Sequence, residues 1–223
     1  MNYHESIGGE AVKLVADDGA VLKGHALKRS FFDMPAPMVA WDILGKVLIH
    51  ETPSGVVAGK IVETEAYLGG KDPACHASAG NTKRNEIFHS EPGTVYVFSS
   101  FGIYNCMNVL TSGESPSGCV LLRAVEPLVG LRIMKRNRET LDPKQLTNGP
   151  GKLAKSFGIT KHENGWTITK RPLIIADCGF NSFVPSIDSR IGVSKAVHYP
   201  FRYFLPDNPY VSRPQRKLFS MVA

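Results

Sequence analysis

The sequence predicts one α+β domain with mostly antiparallel strands, and three observations carry that prediction. Short segments rich in β-branched and aromatic residues recur between Gly, Pro, Asn and Asp turn signals. Helical periodicity is confined to a few short stretches, with no internal repeat, coiled coil or low-complexity tract. At 223 residues, 43% hydrophobic and 21% charged, the chain is long and apolar enough to bury one full core.

The first 29 residues are Gly-rich and mixed in charge, with one short strand read at Val12–Ala16 before the turn Asp17-Asp18-Gly19. From Met38 to Leu48, Val39, Ile43, Leu44 and Val47 recur at helical spacing interrupted by Gly45, which reads as a short helix feeding a strand around Lys46–His50. After Pro53-Ser54-Gly55, the β-branched run Val56–Leu68 predicts a long strand. Strict alternation puts Ile61, Glu63, Glu65 and Tyr67 on one face, and Val62, Thr64, Ala66 and Leu68 on the other. The polar stretch 69–85 is a long loop, of the kind that builds sites.

Strands at Thr94–Phe98 and Ile103–Leu110, joined through Ser99-Ser100-Phe101-Gly102, form a hairpin with Phe101 at its tip. Cys119–Ala124 is a further strand. Pro127 reads as the first residue of a helix that turns Leu128, Leu131 and Met134 inward and Arg132, Lys135, Arg136 and Arg138 outward. A last helix opens at Asn148-Gly149-Pro150-Gly151-Lys152-Leu153 and ends near Gly158, before short strands broken by Pro and Gly. Its N-terminus suits an anion but does not match the P-loop pattern, so nucleotide hydrolysis is not supported.

A net charge of +6 favours a polyanionic partner, because Lys and Arg that neutralise phosphates release condensed counterions. The cysteines Cys75, Cys106, Cys119 and Cys178 are scattered without a CxxC pair, which reads as small core residues in a reducing compartment and not as a zinc ribbon or redox motif. No cofactor and no metal is expected, since no His, Cys, Asp and Glu set shows ligand spacing. No export signal and no run of about 18 apolar residues is present, so the expectation is a soluble cytoplasmic protein, nucleoid-associated if bacterial.

Glu63 and Glu65 point the same way with Cα atoms roughly 6.5 Å apart. On an open sheet face they would be solvated residues; with Tyr67 beyond them and His76 in the next loop, a carboxylate, an aromatic plate and an imidazole can converge. The pair also invites a carbohydrate hydrolase reading, but such carboxylates usually flank the bond from different elements, and the only tryptophans, Trp41 and Trp166, lie far from them in sequence. Tyr96, Phe98, Phe101 and Tyr104 make the hairpin aromatic, as base stacking or plain core packing would require. The RRM signature is absent.

Taken together the residues resemble the alkyladenine (3-methyladenine) DNA glycosylase family. The resemblance runs through Gly59-Lys60-Ile61-Val62-Glu63-Thr64-Glu65-Ala66-Tyr67-Leu68-Gly69, His76, Pro92-Gly93-Thr94-Val95-Tyr96-Val97, Gly102-Ile103-Tyr104-Asn105-Cys106-Met107-Asn108, Val120-Leu121-Leu122-Arg123-Ala124 and Gly149-Pro150-Gly151-Lys152-Leu153. These motifs in one order leave out an N-terminal arm at 1–29, of unassigned role, and a tail at 214–223, so the glycosylase domain is expected over 30–213.

The resemblance implies a single mixed domain around a curved antiparallel sheet whose hairpin enters the DNA minor groove. Phe101 would fill the gap left by a flipped nucleotide, offsetting part of the few kcal/mol of unstacking. Glu65 would be the general base on the attacking water, aided by Arg123 and the backbone carbonyl of Ile191. Tyr67, His76 and Phe98 would sandwich the base, and Asn108 would crowd the exocyclic amino group of normal guanine. Family members often carry Tyr where this chain has Phe98 and Phe101, which keeps the stacking and loses the hydroxyl. The implied partner is double-stranded DNA with a damaged purine, alkylated (3-methyladenine, 7-methylguanine) or neutral (hypoxanthine, ethenoadenine), met by a monomer. No acid is evident for neutral leaving bases, and no Lys occupies the motif positions, so cleavage should stop at an abasic site. A non-catalytic nucleic-acid-binding protein on the same fold is the alternative, but such a protein has no need of a carboxylate buried where it would face phosphates.

Overall fold

Strand β4, Gly55–Tyr67, is the axis of the molecule. In this computed structural model, which describes residues 7–80, 82–100, 102–113 and 116–212, β4 pairs along one edge with β7 (Cys119–Val129). Along the other edge it meets first β3 (Val47–Thr52) and then, at Glu63–Glu65, the short β11 (Arg202–Phe204). The described sheet runs β1-β2-β9-β3-β4-β7-β6-β5, with every strand pair antiparallel. Here β1 is Ile7–Val15, β2 Val21–Leu27, β5 Val95–Ser100, β6 Tyr104–Leu110 and β9 Leu173–Asp177. The short β8 (Thr169–Lys170) pairs with β9, and β10 (Ser186–Asp188) with β11. This is the α+β architecture the sequence predicts.

Helices α1 (Ala36–Asp42), α2 (Leu131–Arg138) and α3 (Pro150–Phe157) are short. They pack on one face of the sheet, where Val39, Ile43, Met134, Leu153 and Phe157 meet Val57, Val62, Leu122 and Val125 in the main core. Fully burying each such side chain stabilises the fold by about 1.5–3 kcal/mol, an upper-side figure because the unfolded chain is already partly collapsed. Part of the opposite face is covered by Val12 and Leu14 near the N-terminus.

Three sequence expectations are corrected. The single strand expected at Val12–Ala16 is a hairpin, β1 with β2, whose second strand extends the sheet on β9. Val12 and Leu14 join Val47, Ile49, Ala58 and Ile174 in a second core. The turn of this hairpin reaches the end of β7, where Asp17 N–H donates to Leu128 O at 2.9 Å, a contact between non-neighbouring strands that the curl of the sheet makes possible. Pro127 does not start a helix. It continues β7 opposite Gly59, where the register shifts and no N–H is required of it. Helix α2 starts after Gly130 (φ +82°), and the Asp17 carboxylate accepts the Gly130 and Leu131 N–H groups at 3.2 and 2.7 Å, so a residue far away in sequence caps it.

The third correction sets up the site. Ile61 does not share a face with Glu63: both Ile61 and Val62 enter the main core. The register against β7 slips between Ile61 and Glu63, a β-bulge that turns the strand over. Alternation resumes beyond it, with Val62 and Ala66 inward and Glu63, Glu65 and Tyr67 on the opposite side.

Candidate active site

On β7, Ala124 and Val125 both face the core beside the β4 bulge, so Arg123, Leu121 and Cys119 emerge on the same side as Glu63, Glu65 and Tyr67. Two neighbouring strands therefore present a carboxylate seam and a guanidinium to each other. The chain leaves β4 through Gly69, whose φ of +78° and close approach to Pro116 O leave no room for a Cβ. It then forms three single turns, Gly69–Lys71, His76–Ala79 and Asn85–His89. Buried Asn85 pins this loop by donating to His76 O at 2.8 Å and Gly80 O at 2.7 Å.

A cavity of about 600 Å³ opens between this loop, the β5–β6 hairpin, β7 and the segment Ile191–Lys195. That size lies within the range of small-ligand sites, about 300–1,000 Å³. Tyr67, His76, Phe98, Asn108, Arg123 and Ile191, distant in sequence, all line it. Phe101 lies outside the described residues.

Glu65 has no solvent exposure. Its Oε1 accepts the Ile191 N–H at 2.6 Å and lies 3.1 Å from Arg123 Nη1, while Oε2 accepts the Tyr67 hydroxyl at 2.8 Å. Burial and the neighbouring carboxylate push the Tyr67 phenol up, so it stays a proton donor to Glu65. Ile191 meets Glu65 through its N–H, a contact the sequence did not suggest.

Glu63 is held differently. Its Oε1 accepts from Arg123 Nε at 3.0 Å, Arg202 Nε at 2.7 Å and the Ser212 hydroxyl at 2.9 Å, and its Oε2 accepts the Ser212 N–H at 2.7 Å. Burial pushes the Glu63 carboxyl up, but Arg123, Arg202 and Ser212 outweigh it and hold the group below its ordinary range. Such a carboxylate is no proton donor near neutral pH, which counts against Glu63 as the acid of a carboxylate pair. Burial also opposes the charge on Arg123, yet Glu65 and Glu63 keep it protonated.

His76 Nδ1 lies 2.8 Å from the Tyr96 hydroxyl, and its ring stands edge-on to Phe98 at 4.6 Å between centroids. Burial, aided by Arg84, lowers the His76 pKa, so the ring is neutral at pH 7. Asn108 is buried; its Nδ2 donates to Tyr96 O at 3.2 Å, and its Oδ1 faces the Cys119 thiol at 3.8 Å. These partners fix which way the amide points. Cys75 and Cys119 pack with Phe88 and Tyr96 in a small apolar cluster at the cavity wall.

Sequence reasoning missed Arg202, Ser212 and the buried pair Asp72–Arg190, none of which carries a local signal; it named Tyr96 among the hairpin aromatics but not its hydroxyl contact with His76. It also missed Lys195, an exposed lysine at the cavity edge outside the recognised motifs. Among the described residues no group of three or more His, Cys, Asp or Glu side chains could hold a metal ion, and no helix is long and apolar enough to cross a membrane.

Comparison with known proteins places the chain in one family. The sequence model described as methylpurine-DNA glycosylase matches residues 30–209. A protein of Prosthecochloris aestuarii, described provisionally as a 3-methyladenine DNA glycosylase, is 42% identical over 188 residues, covering 83% of this chain and 90% of its own. Relatives with the same provisional description include one from Salinibacter ruber, 42% identical over 199 residues (83% of this chain, 96% of its own), and one from Methanoculleus marisnigri, 39% identical over 194 residues (84% and 98%).

Proposed function

The chain belongs to the methylpurine-DNA glycosylase family, a group of DNA-repair hydrolases acting on N-glycosyl bonds, and from that premise we propose that it flips damaged purines out of duplex DNA and hydrolyses their bond to the sugar with Glu65 as base. The observation that carries this reading is that all three partners of Glu65, namely Tyr67, Arg123 and Ile191, line the cavity, whereas Arg202 and Ser212 beside Glu63 do not. Glu65 Oε1 accepts the Ile191 N–H and pairs with Arg123, and Oε2 accepts the Tyr67 hydroxyl with a lone pair over for a water proton.

A purine alkylated at N3 or N7 is cationic. Its C1′–N bond breaks with the electron pair going to the base, which leaves neutral, while positive charge builds on the sugar. Glu65 stabilises that charge electrostatically; water adds at C1′, its proton passes to Oε2, and an abasic sugar remains. Arg123 holds Oε1, and Tyr67, His76 and Phe98 supply flat walls for the extruded base. The oriented Asn108 amide disfavours the exocyclic amino group of normal guanine. Phe101 serves as the wedge in the emptied stack, and one chain acts alone on one lesion. Hypoxanthine and ethenoadenine fall within the proposed range, but they leave only once protonated, and neutral His76 is a poor acid at pH 7.

The test is single-turnover release of 3-methyladenine and, in parallel, hypoxanthine from duplex DNA, with EDTA present, by the wild type and by Glu65→Gln. Release by the wild type, lost in the variant while DNA binding persists, is the expected result. Tight binding without release of either base would replace the enzyme reading with that of a DNA-binding protein.

A further inference from the structure

Arg190 is buried with its side chain wholly out of solvent, paired with an equally buried Asp72. Its Nη2 donates to Asp72 Oδ1 at 3.0 Å and its Nη1 to Ala66 O at 3.1 Å. The guanidinium lies 4.5 Å from the centre of the Tyr67 ring. Asp72 in turn accepts the Leu68 N–H at 3.1 Å and the Ala74 N–H at 3.0 Å, which shapes the chain leading into His76. Arg190 does not line the cavity, whereas Tyr67 and Ile191 do, so it backs the site from behind.

Apolar side chains of similar volume fill a buried space as stably as an ion pair does. What they cannot do is fix directions. Both hydrogen-bond donors on Glu65, the Ile191 N–H and the Tyr67 hydroxyl, hang on this one guanidinium: Ile191 is its chain neighbour, and Tyr67 is the ring it stacks on. The remaining partner, Arg123, forms an ion pair from a different strand.

We propose that Arg190, set by Asp72, is a positioning residue of the glycosylase reaction, holding the Ile191 N–H and the Tyr67 ring so that Glu65 presents Oε2 to water and Tyr67 presents a fixed plate to the base. The inference rests on the assignment of Glu65 as the base. A planar fork is required, since lysine keeps the charge but neither the stack nor the paired bonds.

The experiment compares the maximal single-turnover rate and the half-saturating enzyme concentration on 3-methyladenine duplex for wild type, Glu65→Gln, Arg190→Lys and the double variant Arg190→Met/Asp72→Leu, with melting curves for each. Misplacement by about 1 Å costs on the order of 100-fold in rate. The expected result is such a fall in Arg190→Lys with half-saturation within about threefold of wild type, the pattern of lost positioning and not of lost binding. The double variant regains thermal stability but not rate, which a merely structural role does not predict. Wild-type rate in whichever of these two variants is folded, alongside loss in Glu65→Gln, overturns the positioning role alone. Full rate in Glu65→Gln overturns the base assignment and the positioning role with it.

Discussion

Glu63 and Glu65 are two residues apart on one face of one strand, both without solvent exposure, yet their surroundings divide them. Around Glu63, two arginines and both donors of Ser212 close the carboxylate. Around Glu65, Oε1 takes the Ile191 N–H and the Arg123 charge and Oε2 the Tyr67 hydroxyl, all three partners being walls of the cavity. Burial and residue type are therefore poor guides to which carboxylate reacts; what separates them is where their partners lie, since Tyr67, Arg123 and Ile191 around Glu65 all line the cavity while Arg202 and Ser212 around Glu63 do not. Arg123 touches both, so the closed site also anchors the cation that the open one uses.

The largest effect that this contrast predicts is on rate. A positioned base contributes about 10²–10⁴-fold. Glu65→Gln should lose at least a hundredfold in single-turnover release while melting near the wild type, and Glu63→Gln should lose far less, through a loosened Arg123. Equal losses in the two variants would break the contrast.

Stability should show the reverse order. Glu63→Gln takes one counter-charge from each of two buried arginines, Arg123 keeping Glu65 and Arg202 keeping Asp188, so its cost stays below the about 3–5 kcal/mol of a fully broken buried pair. For a domain of this size that lowers the melting temperature by up to roughly 10 °C, at about 2–4 °C per kcal/mol. The pH dependence has a definite sign. The folded-state pKa of Glu63 is depressed, so its contribution is full above the unfolded carboxyl value of about 4.3 and is lost as pH falls below it. The gap in melting temperature between wild type and Glu63→Gln should therefore narrow on acidification from pH 6 to pH 3. A gap constant over that range would mean that the arginine pairs are not what holds Glu63.

The contrast was only half visible in the sequence. The strand bearing both glutamates, the aromatic hairpin and the helix after Gly149 were legible because β-branched runs, turn residues and a Pro at the first helical position act locally. The bulge at Ile61–Val62 was not, since nothing in strand alternation announces a slip forced by a neighbouring strand. Nor was the strand through Pro127, where a missing N–H is harmless only because of the partner's register. The Glu63 network was hidden for a related reason: Arg202 and Ser212 lie 139 and 149 residues away. Preferring Glu65 to Glu63 came from family resemblance; the difference in donors became apparent only in three dimensions.

A smaller effect concerns the leaving base. With His76 neutral near pH 7 and Tyr67 and Tyr96 held protonated by burial, a neutral purine must take its proton from solvent. Hypoxanthine release should fall as pH rises from 6 to 8, while release of a cationic purine changes much less. Measuring both in the same buffers sharpens the comparison, because the proton acceptor at Glu65 is common to the two reactions. A flat hypoxanthine profile would mean that a protein group supplies the proton.

The smallest effect separates the interior of the cavity from its edge. Lys195 is exposed where the cavity opens, with no part in the carboxylate seam. If it contacts a phosphate beside the flipped nucleotide, Lys195→Ala should weaken binding of damaged and undamaged duplex alike and reduce the slope of log affinity against log salt by about 0.9, the release of one counterion. The rate at saturating enzyme should hold. A lysine at the cavity edge also invites the question of Schiff-base chemistry, and borohydride reduction during turnover should trap no covalent complex, since this exposed amine stands apart from the groups that surround Glu65. A trapped complex lost in Lys195→Ala would give the exposed edge a chemistry of its own and end the division between a reactive interior and a binding rim.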